Sequence, residues 1–469
     1  MLKPGSKVYF IAICGTGMSA LAGLLKDRGY KVAGSDVAAY PPVGDLLKSL
    51  KIPVHIGFDV SDIQKFAPDY VVIGNFVRRD NAQAQWVMDQ KIDYGSFPST
   101  LENFFLQEST NVVVLGTHGK TTTTSCVAHL FTHAGLDPSF LVGGVPLNFE
   151  KSFHFGKGRN FILEGDEYDT AFFDKESKFL HYRPTYGLFM SLEWDHADIF
   201  PTPEKMEAMF RKFLHLIPPK GEGALFYCSD WSRIGQIIQE EGMQQEVISF
   251  GFEPYARHRI EAYEDGPKGM SFQIDKAKFK SQMSGTFNAQ NFAAAILVGR
   301  RCGIEDKTLA KGLAEFKGVK RRQEVRAKIG NSLVIDDFAH HPTAVRRVIQ
   351  GMRAKYPDHR LVVFFEPRSN TSRRNVLQKD WETAFVDADE VFLAPVFKEE
   401  ALPENERLDL KAICEVQREH GKLMTVRATT EDMVGRSKEI FAQHPQTLFV
   451  VLSNGAFDQL HEKLIEALR

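Results

Sequence analysis

The sequence predicts an α/β fold of three domains, each built on a mostly parallel sheet. Three observations carry that prediction. Short apolar, β-branched runs alternate with stretches of helical spacing along most of the chain, the signature of βα units. Two strand-to-helix turns are rich in glycine, one around Gly15 and one around Gly116. The 469 residues correspond to about three domains at roughly 150 residues each.

Composition narrows the class. With 43% hydrophobic and 25% charged residues the chain has ordinary globular values. Lys+Arg of 58 against Asp+Glu of 60, a net charge of -2, is too balanced for a nucleic-acid binder. The five cysteines, Cys14, Cys126, Cys228, Cys302 and Cys414, form no C-x-x-C pair, which fits a reducing cytoplasm better than a zinc site or a disulfide framework. The apolar run Val8 to Ile13 is too short for a signal peptide and is interrupted by Gly15-Thr16-Gly17, and no stretch approaches a membrane span. A cytoplasmic protein with no membrane partner is expected, as a monomer or weak homodimer.

The first domain is read as residues 1–107. Val8 to Ile13 is a buried-type strand, Cys14-Gly15-Thr16-Gly17-Met18-Ser19-Ala20 opens a helix, and Lys31 to Asp36 is a second strand that ends in an acid. This is a G-x-G-x-x-A turn followed by a carboxylate, a Rossmann-like arrangement that suits a nucleotide diphosphate at the helix N-terminus. A tight turn needing glycine would leave the same trace. Further strands are expected at Tyr70 to Ile73 and around Tyr94.

The second domain is read as 108–316. Val112 to Leu115 leads into Gly116-Thr117-His118-Gly119-Lys120-Thr121-Thr122, and a helix follows. Strand, phosphate loop and helix occur in the order that lets backbone N–H groups and a positive helix end meet phosphate oxygens. Lys120 would hold terminal phosphates and the Thr121 hydroxyl would ligate Mg²⁺. The general phosphate-loop pattern has four residues between its first glycine and the Gly-Lys pair, whereas Gly116 and Gly119 enclose two. Phe161 to Glu164 and Tyr186 to Ser191 read as buried strands. They lead into the acids Asp166, Glu167 and Asp169, and into Glu193-Trp194-Asp195-His196. Ligands bind beyond the carboxyl ends of such strands, so these groups should gather near Lys120. Residues 222–284 read as a β-rich insertion, and Phe287 to Asn291 opens an Ala-rich helix.

The third domain is read as 317–469. Its opening stretch, Lys317 to Arg322, is basic, but without interleaved aromatics it suits a phosphate clamp better than nucleic acid. Ser332 to Asp337, Leu361 to Glu366, Glu390 to Ala394 and Thr447 to Leu452 read as strands alternating with helices, again Rossmann-like. Of the adjacent pair His340-His341, at most one is expected to face a ligand.

These residues together resemble one family, the ATP-dependent Mur ligases of bacterial cell-wall synthesis, through Gly116-Thr117-His118-Gly119-Lys120-Thr121-Thr122-Thr123 and its short glycine spacing. The resemblance is strongest to the recycling branch, which joins a murein tripeptide to UDP-N-acetylmuramate. The stretches that carry it include Gly34-Ser35-Asp36, Gly143-Gly144-Val145-Pro146, Glu167-Tyr168-Asp169, Asp195-His196-Ala197-Asp198, Asp336 to Thr343, Glu366-Pro367-Arg368-Ser369-Asn370-Thr371 and Ser453-Asn454-Gly455.

The resemblance implies a UDP-sugar domain, a central ATPase-like domain and a mobile peptide-binding domain. It implies ATP and Mg²⁺, with Gly116 to Thr122 on the nucleotide, Thr121 and Glu164 on a first metal and His196 on a second. Asn291, Arg321, Arg322 and Asp337 would complete the ATP site. Gly15, Thr16, Gly17, Met18, Asp36, Asn75 and Asn148 would serve the UDP-sugar, and Arg368, Ser369 and Asn370 the peptide. Lys120, His196, Arg322, His340 and His341 would be the catalytic set. Many relatives carry a carbamylated lysine some fourteen or fifteen residues after the matching histidine, where this chain has Arg211 and then Lys212. What supports the second metal is thereby left open. An L-alanine-adding ligase shares most of these features. An NAD-dependent oxidoreductase would use the Gly15 turn without the Lys120 loop, and a nucleotide-regulated binding module would not need Glu164 and His196 beside it.

Overall fold

A computed structural model describes residues 2–197 and 199–469 as three sheets covered by helices. Asp198, part of the stretch after His196, lies outside the described residues. The first sheet has five parallel strands in the order Val54–Ile56, Lys31–Asp36, Lys7–Ile11, Tyr70–Ile73, Tyr94–Gly95. Its middle strand is buried on both faces, and for that reason it reads as one unbroken apolar run. The chain leaves this strand towards one side and later returns to the other, opening a crevice at its carboxyl end above the helix Thr16–Asp27. That helix lies directly on the second sheet. A Cβ added at Gly23 would meet the Phe153 ring at 2.1 Å, so only glycine permits the approach.

The second sheet has ten strands, and its centre is the strand Thr110–Leu115 between Tyr186–Phe189 and Asn160–Glu164, all parallel. The expectation of a separate β-rich insertion over 222–284 is corrected here. Ala224–Cys228 and Val247–Gly251 continue the parallel sheet, with the helix Ser232–Glu240 between them, and only His258–Gly266, Gly269–Ile274 and Ala277–Ser281 form an antiparallel extension. The helix was masked by its polar face, because Ile234 and Ile237 are its only fully buried residues.

The third sheet has six strands in the order Glu324–Ile329, Ser332–Asp337, Thr447–Leu452, Arg360–Phe365, Glu390–Leu393, Leu423–Val426. All pairs but the first are parallel. The two edge strands have no counterpart in the sequence reading. Each is largely solvent-facing, with Met424 the one buried residue of Leu423–Val426, so neither presents an apolar run.

Trp381 anchors this third core. It is fully buried, with ring centroids 4.6 Å from Phe365 and 6.0 Å from Phe385. Trp381→Ala is expected to cost about 3–5 kcal/mol of stability, read as a lowered denaturant midpoint. Trp381→Phe should cost clearly less, since it keeps the ring contacts and removes an indole N–H without a partner among the described residues. Equal midpoints for the two variants would refute this account.

Candidate active site

One cleft of about 1340 Å³ runs between the carboxyl ends of the first two sheets and the start of the third domain. The loop Gly116 to Gly119 forms its floor. Both glycines hold positive φ, 119° and 86°. A Cβ at Gly116 would lie 2.5 Å from the Ser191 carbonyl oxygen, and one at Gly119 2.3 Å from the Asn291 side-chain oxygen. The loop is thus pressed between a neighbouring strand end and the helix Thr286–Arg301, with no room for larger residues.

Lys120 begins the helix Lys120–His133 and turns back over the loop, where Nζ donates to the Gly116 carbonyl at 2.7 Å and to Glu167 Oε1 at 2.8 Å. Burial works against the ammonium, but the charges of Glu167, Glu164 and Asp166 prevail and raise its pKa. Thr121 Oγ1 donates to Glu164 Oε1 at 2.7 Å, and the Gly143 N–H donates to Glu164 Oε2 at 2.7 Å. Burial nevertheless raises the Glu164 pKa. A half-buried carboxylate beside a threonine hydroxyl is the hard-oxygen donor set that suits Mg²⁺.

His196 closes the other side of this group. It has φ 54°, a left-handed conformation rare outside glycine, and its N–H donates to Asp195 Oδ1 at 2.7 Å. Its Nδ1 meets the Tyr168 hydroxyl at 2.9 Å and its Nε2 lies 3.3 Å from Glu167 Oε1. Lys120 and His196 together hold the Glu167 carboxyl down to about 2, although burial alone would raise it.

The third domain meets the cleft through two carboxylates that follow the strand Tyr186–Phe189. Glu193 binds His118 Nε2 at 2.6 Å and accepts from the Thr343 hydroxyl at 2.7 Å. Against burial, His118, His341 and Thr343 bring its pKa to about 2. Asp195 is buried and accepts from the Thr371 hydroxyl at 2.7 Å, with His340 Nε2 3.8 Å away. The Asp195 carboxyl is held well below its usual range by His196, His340 and His341 despite burial.

Most residues expected from the sequence line this cleft: Gly15, Thr16, Gly17, Met18, Asp36, Asn75, Thr117, His118, Gly119, Lys120, Thr121, Thr122, Glu164, His196, Asn291, Arg321, Arg322, Asp337, His340 and His341. Gly116 takes part through its carbonyl. Several of them shape the walls themselves. Asp36 accepts from the Cys14 and Val37 N–H groups, each at 2.7 Å, and Asp337 from those of Gln323 at 2.7 Å and Ala339 at 2.8 Å. Arg321 donates to the carbonyls of Ser453 and Gly455, whereas the Arg322 guanidinium rests on Phe338 and reaches Thr121 Oγ1 at 3.3 Å.

The structure places other expected residues differently. Both His340 and His341 line the cleft, because the chain is extended at His341 (φ -107°, ψ 142°) as it enters the helix Pro342–Lys355. His340 Nδ1 is tied to the Phe338 carbonyl. His341 Nδ1 accepts from the Thr343 N–H and its Nε2 has no partner among the described residues. Burial pushes the His341 pKa down to about 4, leaving a neutral imidazole. Asn148 lies outside the cleft lining; it ties the Glu315 carbonyl and the Lys317 N–H, bracing the chain between the second and third sheets. Arg368, Ser369 and Asn370 also lie outside the lining. Arg368 stacks on Phe397 at 3.9 Å and pairs with Glu366, Ser369 bonds Ser372, and Asn370 accepts from Arg373. The loop's own neighbour Thr371 is the residue that touches the site.

Glu167, Glu193 and Asp195 were expected from the sequence to gather near Lys120 but were given no role, and Tyr168, Trp231 and Arg347 were not named as site residues. The Trp231–Arg347 stack, 4.6 Å from guanidinium to ring, joins two domains and left no local trace.

Comparison with known proteins agrees with this geometry. Residues 7–108 match the model of the Mur ligase family catalytic domain, 114–299 the Mur ligase middle domain, and 321–455 the Mur ligase glutamate ligase domain. The UDP-N-acetylmuramate--L-alanyl-gamma-D-glutamyl-meso-2,6-diaminoheptandioate ligase of Escherichia coli (strain K12) is 33% identical over 98% of both chains. The chain belongs to the Mur ligase family. Within that family, the UDP-N-acetylmuramate--L-alanine ligase of Anaeromyxobacter dehalogenans (strain 2CP-C) is 32% identical over 85% of each chain. The murein peptide ligase of Psychrobacter arcticus 273-4 has a similar structure, with a TM-score of 0.69, 29% identity and 99% coverage of each chain. Its three matched α/β domains meet at one cleft.

Proposed function

We propose that this Mur ligase joins the amine of L-alanyl-γ-D-glutamyl-meso-diaminopimelate to the lactyl carboxylate of UDP-N-acetylmuramate, with ATP as the energy source, in peptidoglycan recycling in the cytoplasm. The observation that carries the reading is the single cleft in which the Gly15 turn, the Lys120 loop with Glu164 and His196, and the third domain's Arg322 and His340 all meet. Residues 1–107 would hold the UDP-sugar, 108–316 ATP and 317–469 the peptide. Identity of 33% to the tripeptide ligase over 98% of the chain, against 32% over 85% and 30% over 97% for two alanine ligases, supports the tripeptide.

A carboxylate and an ammonium ion do not condense near neutral pH without activation. The lactyl carboxylate therefore attacks the γ-phosphorus of ATP, releasing ADP and leaving an acyl phosphate. The deprotonated peptide amine then attacks the acyl carbon, and phosphate departs. Lys120, the loop N–H groups and Arg322 would neutralise charge on the transferred phosphoryl, which is mainly positioning and electrostatic work. Mg²⁺, held by Thr121 and Glu164 with His196 at a second position, would supply further charge neutralisation. His340, with its pKa lowered by burial, is a neutral imidazole able to accept the amine proton.

The test is ADP release with UDP-N-acetylmuramate present and either nucleophile added. The tripeptide is expected to exceed free L-alanine by about 10²-fold in kcat/KM, and NAD(H) to have no effect. Preference for L-alanine would move the chain to the alanine-adding branch, and ADP release independent of UDP-N-acetylmuramate would remove the ligase reading.

A further inference from the structure

A lysine carbamate at the spacing seen in many relatives would fall at Arg211, with Lys212 one residue beyond. Arg211, at the matching distance, has a guanidinium that stays protonated and cannot carry a carbamate. It is bound to Glu240 and, at 2.6 Å, to Glu241. Lys212 pairs with Glu176 at 3.0 Å on the surface. Neither lines the cleft. A second cation beside His196 therefore needs another carboxylate.

Glu167 has the right placement. It is 3% exposed and lies on a loop fastened on both sides, by the Asp166–Lys178 ion pair at 2.6 Å and by the Ser177 hydroxyl donating to the Glu167 carbonyl at 2.8 Å. Its Oε1 faces His196 Nε2 at 3.3 Å, a few tenths of an ångström wider than the ~2.9 Å between adjacent ligands of an octahedral ion with bonds near 2.0–2.1 Å, so a small side-chain shift would bring both onto one ion. The cation it now holds is the Lys120 ammonium, which the Gly116 carbonyl also binds. Lys120 sits one residue before Thr121, so the same loop that receives nucleotide phosphates carries the charge that neutralises Glu167.

We propose that Glu167 replaces the lysine carbamate as the carboxylate of the second cation position, and that Lys120 occupies this position until nucleotide phosphates draw its ammonium away. Glu167 is thus exchanged from an internal ammonium to a divalent ion as the nucleotide binds, so that its buried charge is paired in both states. The proposal rests on the ligase reading above. The exchange also predicts that the two events are coupled: divalent ion at the second position and nucleotide strengthen each other's binding.

The experiment uses the full chain with UDP-N-acetylmuramate and the non-hydrolysable β,γ-imido analogue of ATP, with Mn²⁺ counted by electron paramagnetic resonance. Wild type is expected to bind two Mn²⁺. Glu167→Gln should bind one at full affinity and the second at least ~10-fold more weakly, and Glu167→Asp should restore part of the second affinity. Analogue binding by Glu167→Gln in saturating Mn²⁺ confirms that the variant is folded. Two ions in Glu167→Gln at wild-type affinity would assign Glu167 to Lys120 alone and overturn the proposal. A single ion in wild type would overturn it as well. Both of those outcomes leave the ligase reading standing, whereas failure of wild type to bind the analogue would remove that reading and this proposal together.

Discussion

Lys120→Ala is expected to lower ADP release by about 10³-fold or more, the scale on which a single cation contributes to phosphoryl transfer. The ammonium is hydrogen-bonded directly to the loop backbone. Its side chain is 14% exposed and is aimed by the Gly116 carbonyl at 2.7 Å and Glu167 at 2.8 Å. With its pKa raised it remains charged throughout the working range, so no pH adjustment should substitute for it. The same variant leaves Glu167 as a buried, partly unpaired carboxylate, and breaking such a pair costs about 3–5 kcal/mol of stability. Stability and catalysis therefore have to be separated. The double variant Lys120→Ala/Glu167→Gln should recover most of the lost thermal stability and none of the ADP release. Near-normal ADP release by Lys120→Ala would refute the phosphate-loop assignment.

Asp195→Ala should have the next largest effect, through the join between the second and third domains. One oxygen of Asp195 accepts both the Thr371 hydroxyl and the His196 N–H, each at 2.7 Å. Alanine leaves two donors without an acceptor at a buried junction, a cost of about 1–3 kcal/mol for each. It also frees His196 from the bond that helps to hold its left-handed backbone. A fall in kcat of about 10²-fold is expected, the size seen when a small displacement disturbs reacting geometry, while ADP binding, which rests on the loop, changes little. Asp195→Asn keeps the accepting oxygen and should retain most of the rate. Equal losses for Asn and Ala would show that the charge facing His340 matters more than the hydrogen bonds.

The legible parts of the fold were those with a local physical trace. Lys7–Ile11, Ser332–Asp337 and Thr447–Leu452 are buried on both faces and carry the apolar runs Val8 to Ile11, Leu333 to Ile335 and Leu448 to Leu452. Gly116 and Gly119 showed because no other residue fits their contacts. Edge strands such as Leu423–Val426 bury too little to leave a pattern. The helix Ser232–Glu240 hid within what reads as a β-rich stretch, because two isoleucines account for its buried face.

The sequence by itself determined the chemistry of the centre. A phosphate loop, a strand ending in Glu164 and a histidine at position 196 point to a phosphate- and metal-binding centre, and their resemblance to the Mur ligases suggests the family before any coordinate is known. Tertiary structure alone decided which groups meet across domains. Glu167 against both Lys120 and His196, Asp195 against Thr371, and the exclusion of Arg211 and Asn148 from the cleft depend on contacts between residues as much as 176 positions apart. Such contacts are fixed by how the sheets pack, and sheet packing leaves no periodicity in the stretches that it brings together.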